Sequence, residues 1–394
     1  MFGKLHYLLA TVSLITPAMT VGLNSIVSRE LLVRPSDTSL IMGTGLAIRS
    51  IGSIFFALLA SLIAYRYLLA ADFKLFVFLI LCNVSNALLI VDFWFQSKVA
   101  NSYGAIVKSS VAVIFTVIRL IAIKLDADIS AFIYIAGLEI ICISALYLLT
   151  FSHLTAGLRH LRFSWSEAKQ LLRDSRWLML SGIAAVIYLK IDQVMLGIMV
   201  DDRAVGIYAA AAKFSEVWYF ISAAIVVSLF PNLVNKKRTN QIGYGSDIQK
   251  INDFLYCIGL GIAMVVSVSA HLVLPLLLGD VYSESIPVLV AHVWAGVFVF
   301  MRALLSKWLI TENLLKLSMM SQVLGAVCNV ALNMRLIPLY GPLGAAYATV
   351  ISYAVSGYLV LFFHRDLWPM AMVVTRSILL PIRFALKGLG LYKT

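Results

Sequence analysis

Residues 130–151 read SAFIYIAGLEIICISALYLLTF, a run of 22 residues in which Glu139 is the one charged side chain. An apolar stretch of about 20 residues crosses a bilayer as a helix, because lipid cannot hydrogen-bond an open backbone. Ten other stretches share this length and apolar character. Together they predict an all-α polytopic membrane protein with about 11 transmembrane helices, at 7–28, 39–64, 75–95, 105–123, 130–151, 177–200, 204–234, 253–278, 286–311, 315–334 and 341–363.

The composition of the whole chain agrees with this pattern. Of 394 residues, 61% are hydrophobic and 13% are charged, and the mean hydropathy is +0.95. A soluble domain carries about 25% charged residues, so the composition excludes an ordinary soluble protein. The net charge of +12 would suggest a nucleic-acid partner in a soluble protein. In a membrane protein this excess follows from the positive-inside rule and from anionic headgroups, so no nucleic-acid partner is predicted.

The distribution of Lys and Arg between the loops predicts the orientation of the chain. One set of loops, with the C-terminal tail, holds 18 of these residues, whereas the alternate loops hold 6. Because basic residues accumulate on the cytoplasmic side, the richer set is predicted to be cytoplasmic, and the C-terminus with it. The richer set comprises 29–38, 96–104, 152–176, 235–252, 312–316 and the tail from 364.

Polar segments divide the chain into four predicted regions. The segment 153–176 is basic and amphipathic, which is typical of a helix that lies along a membrane surface. The end of the chain is interrupted too often by basic residues to form a span. The predicted regions are an N-terminal transmembrane lobe at 1–152, a cytoplasmic amphipathic linker at 153–176, a C-terminal transmembrane lobe at 177–365 and a basic cytoplasmic tail at 366–394.

A weak internal match indicates that the two lobes are copies of one repeat. Without gaps, Gly3 falls on Gly206 and Arg34 falls on Lys237, and both copies pass from a span into a basic loop. The second copy is preceded by the span 177–200, and the first copy has no such span before it. We infer from this mismatch that a first N-terminal helix is absent, and that the parent architecture has two lobes of six helices.

Motifs for catalysis and nucleotide hydrolysis are missing from the sequence. There is no G-x-x-x-x-G-K-[ST] loop, no H-E-x-x-H pair and no G-x-S-x-G elbow. The six histidines are scattered, and the four cysteines lie in apolar runs without metal-ligand spacing. The sequence therefore predicts transport rather than catalysis, with no catalytic residue, metal or cofactor.

Charged side chains inside the predicted spans are the candidate functional residues. A charge near the centre of a bilayer costs about 2.5–3.5 kcal/mol, so such groups usually face a cavity or a partner. The spans hold seven basic and four acidic residues, and a positively charged interior suits an anion that carries phosphate. Arg49 is intermediate in depth, and those nearer the middle of a span are Glu139, Lys190, Asp192, Lys213, Glu216 and Arg302.

The spacing of these residues leaves two interpretations open for the acids. Lys213 and Glu216 are three positions apart, which allows an ion pair on one helix. Lys190 and Asp192 are two positions apart and project about 200° from one another, so they cannot pair on one helix face. Asp192 could neutralise Lys213 or Arg302 across helices, or it could take up and release a proton as a coupling group.

Three stretches of the chain resemble Wzx-type flippases of polysaccharide repeat units. The first is YLKIDQVMLG at 188–197, followed by VGIYAAAAKFSE at 205–216 and by FPN at 230–232. The second is IPLYGPLGAAYAT at 337–349, and the third covers 22–49. Each stretch is degenerate, but their order and spacing along nearly the whole chain make the combination specific. These flippases belong to the multidrug/oligosaccharidyl-lipid/polysaccharide exporter superfamily.

The resemblance implies two six-helix lobes around a central cationic cavity, and transport by alternating access with coupling to an ion. The implied substrate is an undecaprenyl-diphosphate-linked oligosaccharide, moved from the cytoplasmic to the periplasmic leaflet of the bacterial cytoplasmic (inner) membrane. The implied product pathway is O-antigen, lipopolysaccharide or capsule biosynthesis, with membrane lipids, a polysaccharide polymerase and chain-length machinery as partners. The implied diphosphate-binding cations are Arg49, Lys190, Lys213 and Arg302, and the implied coupling acids are Asp192, Glu216 and Glu139.

Two other functions remain as alternatives. An exporter of a soluble drug or metabolite from the same superfamily would show the same pattern of spans. A membrane polysaccharide polymerase would also be polytopic, although the short outer loops count against it.

Overall fold

The computed structural model describes residues 2–98, 100–155, 157–238 and 243–383, and every regular element within these ranges is a helix. Nine helices of the described residues are long and apolar enough to cross a membrane. The prediction of an all-α polytopic membrane protein is therefore confirmed.

The chain divides into two compact units, Met1–Ile191 and Asp192–Thr394, and the division falls inside one long helix. The first unit is built around two apolar clusters of buried side chains. Its helices are α1 (Phe2–Met19), α2 (Leu23–Val33), α3 (Thr38–Tyr67), α4 (Ala70–Val84), α5 (Val91–Ser97), α6 (Asn101–Lys124), α7 (Ile129–Leu154) and most of α8 (Trp165–Met199).

The second unit has an apolar core of its own, to which five of its helices contribute. The predicted span 204–234 is bent into two helices here, and so is the predicted span 286–311. The helices are α9 (Asp202–Glu216), α10 (Tyr219–Arg238), α11 (Tyr244–Leu278), α12 (Ser285–His292), α13 (Ala295–Thr311), α14 (Leu315–Gly357) and α15 (Trp368–Ile378).

The predicted span 7–28 is broken between α1 and α2. Val21 and Gly22 both have positive φ, at 52° and 64°, so the chain leaves the helical conformation at this point. A Cβ atom at Gly22 would overlap the backbone nitrogen of Met179 in α8, so only glycine allows the two segments to approach this closely. The break thus places α2 against α8.

The helix α14 is a hairpin of two antiparallel arms. Gly341 has φ 54° and ψ −132°, values outside the helical region, and prolines stand on both sides of it. Across the turn, Asn329 Nδ2 donates a hydrogen bond to Ser352 Oγ at 3.3 Å, so the arms lie side by side. The predicted spans 315–334 and 341–363 are therefore separate helices. With α1 and α2 taken together, all eleven predicted spans correspond to helices of the described residues.

The outer surface of the helices is apolar, as contact with lipid requires. In α3, Phe55, Leu58 and Leu62 are 59%, 63% and 71% exposed, whereas Arg49 on the same helix is buried. A soluble protein rarely exposes so large an apolar area. Arg49, Asp192 and Arg302 are buried, and they belong to the sites described below.

Two predicted regions contain structure that continues into the neighbouring helices or core. Residues 165–176 of the predicted linker 153–176 form the first turns of α8, and Gly157–His160 is a short 3-10 helix. Within the predicted tail 366–394, α15 packs its buried face into the core of the second unit. Residues 384–394 lie outside the described residues, and the four predicted boundaries remain predictions.

Candidate functional site

Asp192 stands at the start of the second unit, and its side chain is 1% exposed. Its Oδ2 accepts hydrogen bonds from the Tyr208 hydroxyl at 2.7 Å and from Thr349 Oγ1 at 2.8 Å. Its Oδ1 accepts a hydrogen bond from Asn333 Nδ2 at 2.5 Å. Tyr208 belongs to α9, and the other two donors come from the two arms of α14. The carboxylate therefore joins α8, α9 and both arms of the hairpin.

The donors that the described residues give to Asp192 are all neutral. The sequence left open whether Asp192 pairs with Lys213 or Arg302. Neither residue is among the donors given above. Burial of an ionised carboxylate without a counter-charge is unfavourable, and neutralisation by a proton or a cation relieves it. The geometry favours a role in which Asp192 takes up a positive charge.

The hydrogen-bonded cluster extends from Asp192 along the α14 hairpin. Asn333 Nδ2 also donates to Asn329 Oδ1 at 3.1 Å, and Asn329 Nδ2 donates in turn to Ser352 Oγ. These side chains are fully buried. The buried Oδ1 atom of Asn333 accepts no hydrogen bond from the described residues. The cluster thus holds an acid together with an acceptor oxygen that has no donor in the described part of the chain.

Arg302 on α13 is also buried, with 9% of its side chain exposed, but it is hydrogen-bonded. Its Nη1 donates to the Ser356 carbonyl at 2.6 Å, and its Nη2 donates to Ser321 Oγ at 3.2 Å. These acceptors lie on the two arms of α14. The predicted diphosphate-binding role of Arg302 remains a prediction, and the contacts in this structure hold the hairpin against α13.

Arg49 on α3, in the first unit, is buried like Arg302 but makes fewer hydrogen bonds. Its side chain is 3% exposed, and Nη2 donates to the Asn86 carbonyl at 3.1 Å. The guanidinium carbon lies 5.9 Å from the ring centre of Phe93. Nε and Nη1 are buried and have no hydrogen-bond partner among the described residues. A buried guanidinium with two unused donors is suited to bind an anion.

A cavity of about 630 Å³ lies between α1 and α8, within the first unit. Pro17 interrupts the hydrogen bonding of α1 beside it, and Lys190 is the one basic residue of its lining. Hydroxyl and amide groups line the remaining wall together with small and apolar residues. The polar lining residues are Ser13, Thr16, Thr20, Asn24 and Ser181.

The remaining predicted residues lie elsewhere. Lys213 is exposed and Glu216 is half-buried on α9, and neither contacts the Asp192 carboxylate. Glu139 on α7 forms an ion pair with Arg119 on α6. The roles predicted for the seven residues remain predictions.

Sequence reasoning missed a buried histidine beside the Asp192 cluster. His292 is 1% exposed, and its Nδ1 lies 2.6 Å from Ser215 Oγ on α9. Its ring meets the Tyr208 ring edge to face, with 5.5 Å between centres. Ser215 and His292 are 77 positions apart in the chain, so no local pattern could have predicted the contact.

Ion pairs close the end of α2 against the start of α8. Arg34 donates to both carboxylate oxygens of Glu167, at 3.1 and 2.6 Å, and it also contacts Glu30. Burial raises the pKa of Glu30, but hydrogen bonds from Arg29 and Arg34 outweigh this and lower the pKa below its ordinary value. The pKa of Arg34 is raised, mainly by its hydrogen bonds to Glu167. This cluster fixes the polar end of the first unit.

The family described as "Polysaccharide biosynthesis protein" matches residues 1–235 of the chain. Among curated proteins, "Probable flippase AglR" of Haloferax volcanii is 27% identical over an alignment of 207 positions, and the alignment covers 49% of this chain and 41% of that protein. "Probable low-salt glycan biosynthesis flippase Agl15" of the same organism is 24% identical, with the same two shares. The alignments thus cover less than half of the length of these curated relatives.

Solved structures with the same fold include two transporters. A multidrug resistance MATE family transporter of the MOP superfamily, in an inward-facing conformation, aligns with a TM-score of 0.68 at 12% identity. The alignment covers 95% of this chain and 90% of that one. Lipid II flippase MurJ, in an inward closed conformation, gives a TM-score of 0.66 at 13% identity and covers 98% and 91%. At these identities the likeness concerns the fold.

Proposed function

The chain belongs to the polysaccharide biosynthesis protein family, and we propose that it is a flippase that carries a lipid-linked oligosaccharide between the leaflets of a membrane. The curated relatives are named as flippases, and one of them as a glycan biosynthesis flippase. The fold agrees with that of a lipid II flippase over nearly the whole chain. A transporter rather than an enzyme is the function that these observations support.

The observation that carries the proposal is the pair of polar sites inside the first unit. The cavity between α1 and α8 offers hydroxyl and amide groups and Lys190, which suit a sugar with an attached phosphate. Arg49 offers two buried donor nitrogens for which the described residues supply no acceptor. A phosphate oxygen is a strong acceptor for such donors, because both partners are charged. We therefore assign diphosphate binding first to Arg49 and Lys190, with Lys213 and Arg302 as further candidates.

The finer proposal concerns the substrate and its setting. We propose an oligosaccharide on undecaprenyl diphosphate, moved to the periplasmic leaflet of the bacterial inner membrane, with the C-terminus on the cytoplasmic side. The polymer served would be O-antigen, lipopolysaccharide or capsule, and a polymerase with its chain-length machinery would use the translocated unit. The resemblance of the sequence to Wzx-type flippases supports this proposal.

We assign the coupling of transport to Asp192, ahead of Glu216 and Glu139. Its carboxylate is buried among neutral donors from three helices, so uptake of a proton or a monovalent cation changes the charge that these helices surround. Glu139 already faces Arg119, which satisfies its charge. Loss or gain of the positive charge at Asp192 would shift the balance between two arrangements of α8, α9 and α14.

The test is the position of the lipid intermediate in cells that lack the gene and in cells to which it is restored. Lipid-linked units are extracted from oriented membrane vesicles after labelling of one leaflet. We expect complete units on the cytoplasmic leaflet without the gene, and their clearance when it is restored. Restoration with Lys190→Gln should clear them more slowly than restoration with Arg66→Gln, a matched change at an exposed basic residue outside the cavity.

Other outcomes would overturn the proposal. Complete units on the outer leaflet that stay unpolymerised would indicate a polymerase. Normal intermediates and normal polymer, with no second flippase in the cell, would indicate an exporter of a soluble drug or metabolite. Equal clearance by the Lys190 and Arg66 variants would contradict the assignment of Lys190.

A further inference from the structure

The loop before α8 carries a basic surface that lies outside the sites proposed for transport. A cavity of about 560 Å³ lies between this loop and the start of α3, and Arg159, His160 and Arg162 form its basic wall. All three side chains are exposed. Ser36 and Ser39 line the opposite wall, and the one acidic group there is Asp37. We name this surface, formed by 157–165 and the start of α3, the basic loop surface.

The two arginines of this surface differ from those of the neighbouring ion-pair cluster. Arg29 and Arg34 are paired with Glu30 and Glu167. In the described parts of the chain, the guanidinium groups of Arg159 and Arg162 have neither an ion pair nor a hydrogen bond. An unpaired cluster of positive charge on an ordered surface attracts an anion.

The backbone of the loop is held in place, so the charges have fixed positions. The Arg162 amide donates to the Ser39 carbonyl at 3.1 Å, and the Ser39 hydroxyl donates to the His160 carbonyl. Further along, the Ser164 amide donates to Thr44 Oγ1 at 3.2 Å. A Cβ atom at Gly43 would overlap the backbone of Arg162, which shows how closely α3 and the loop approach. The loop is therefore part of the first unit rather than a free tether.

Apolar side chains flank the basic groups on the same segment. Leu158, Phe163 and Trp165 are 38%, 47% and 73% exposed, and the two aromatic rings meet edge to face at 5.2 Å. Exposed Trp and Phe beside Arg is the composition of segments that lie at the boundary between headgroups and acyl chains. A soluble anion would leave these rings in water, whereas a phospholipid would cover them.

We propose that the basic loop surface binds an anionic phospholipid of the adjacent leaflet. Arg159 and Arg162 bind the headgroup phosphate, and Phe163 and Trp165 enter the membrane boundary beside the acyl chains. The positive end of the α3 dipole, at the start of that helix, favours the same charge. The contact holds the loop, and through it the polar end of α8, at the membrane surface.

The experiment uses the purified full chain in a mild detergent and short-chain phosphatidylglycerol with brominated acyl chains. Bromine quenches tryptophan fluorescence on contact, and the Trp165 contribution is the difference from a Trp165→Phe variant. We expect half-maximal quenching to need about thirtyfold more lipid in the Arg159→Gln/Arg162→Gln variant, which loses two basic groups near the anionic headgroup. Replacement of both arginines by lysine should retain binding, because the charge is kept.

The matched control is Arg66→Gln/Lys124→Gln, which removes the same charge from two other exposed positions and should leave the quenching curve unchanged. Equal quenching by brominated phosphatidylcholine, or an unaffected Arg159/Arg162 variant, would overturn the proposal. Displacement of the lipid by glycerol phosphate at the same concentration would show an anion site without a lipid surface, and would also overturn it. The readout does not involve transport, so its outcome is independent of the flippase proposal.

Discussion

Arg49 and Asp192 are both buried in the middle of a predicted span, one in each unit, and their surroundings differ. Asp192 accepts three hydrogen bonds from neutral donors of three helices. Arg49 uses one of its three nitrogens, and the other two have no acceptor among the described residues. The difference shows that burial by itself does not identify a binding group. The Asp192 carboxylate is held by protein donors, so what it can gain is a proton or a cation, whereas Arg49 keeps two donor nitrogens for an anionic ligand.

Replacement of Asp192 by alanine should cause the largest decrease in the free energy of unfolding. The change removes the hydrogen bonds that Tyr208, Asn333 and Thr349 donate to a buried carboxylate, and a hydrogen bond to a charged group is worth about 1.5–3 kcal/mol. We expect the free energy of unfolding in mild detergent to fall by about 3 kcal/mol or more. A matched Thr349→Val variant removes one donor and should cost about one third as much. A loss below about 1 kcal/mol for Asp192→Ala would show that the cluster is not assembled.

Arg302→Met should give the next largest effect. Hydrogen bonds from a charged group are worth about 1.5–3 kcal/mol, and the change leaves the Ser356 carbonyl without its donor. We expect the free energy of unfolding to fall by about 2 kcal/mol, measured under the same conditions. A variant as stable as the parent would indicate that Arg302, like Arg49, binds a ligand rather than stabilises the fold.

Arg49→Met should affect clearance of the lipid intermediate more than stability, the reverse of what is expected for a structural residue. Methionine keeps an unbranched apolar stem, and the change removes two buried donor nitrogens that have no partner among the described residues. We therefore expect the free energy of unfolding to change by less than about 1 kcal/mol. Clearance of the lipid intermediate should nevertheless slow by about tenfold, since a charged hydrogen bond to the diphosphate is lost.

If Arg49 binds the substrate, Arg49→Met should slow clearance of the lipid intermediate without lowering the free energy of unfolding. A large loss of stability together with a loss of clearance would indicate that Arg49 is structural. Unchanged stability with unchanged clearance would remove it from the substrate site.

The smallest expected effect is the pH dependence of the ion pairs at the end of α2. The pKa of Glu30 is lower in the folded chain than in the unfolded chain, where it is about 4.3. Its stabilising contribution is therefore complete above that value and is lost as the pH falls through the lowered folded pKa. We expect the thermal midpoint to decrease over this acidic range, and Glu30→Gln to reduce the decrease. A Glu284→Gln variant changes an exposed ion pair instead and should retain it.

Particular residues show how far the sequence could predict the site. The charges inside the spans were evident, because a single Asp or Arg stands out in an apolar run. Their partners were not, because Asn333 and Thr349 reach Asp192 from 141 and 157 positions away. The same distance in sequence concealed the contact between Ser215 and His292. The break at Gly22 and the turn at Gly341 lay inside predicted spans or at their ends, and helix bends of this kind depend on packing rather than on hydropathy.

Hydropathy by itself determined that the chain crosses a membrane and where its helices run, because the cost of an open backbone in lipid applies to each stretch separately. Local spacing also determined that Lys190 and Asp192 face different sides of one helix. Only the tertiary structure decided which buried charges are satisfied, because this depends on donors and acceptors that arrive from distant helices. It likewise decided that the segment before α8 is a fixed loop against α3. The hydrogen bonding of the buried charges and the packing of this loop, rather than the pattern of spans, support the roles proposed for Asp192, Arg49 and the basic loop surface.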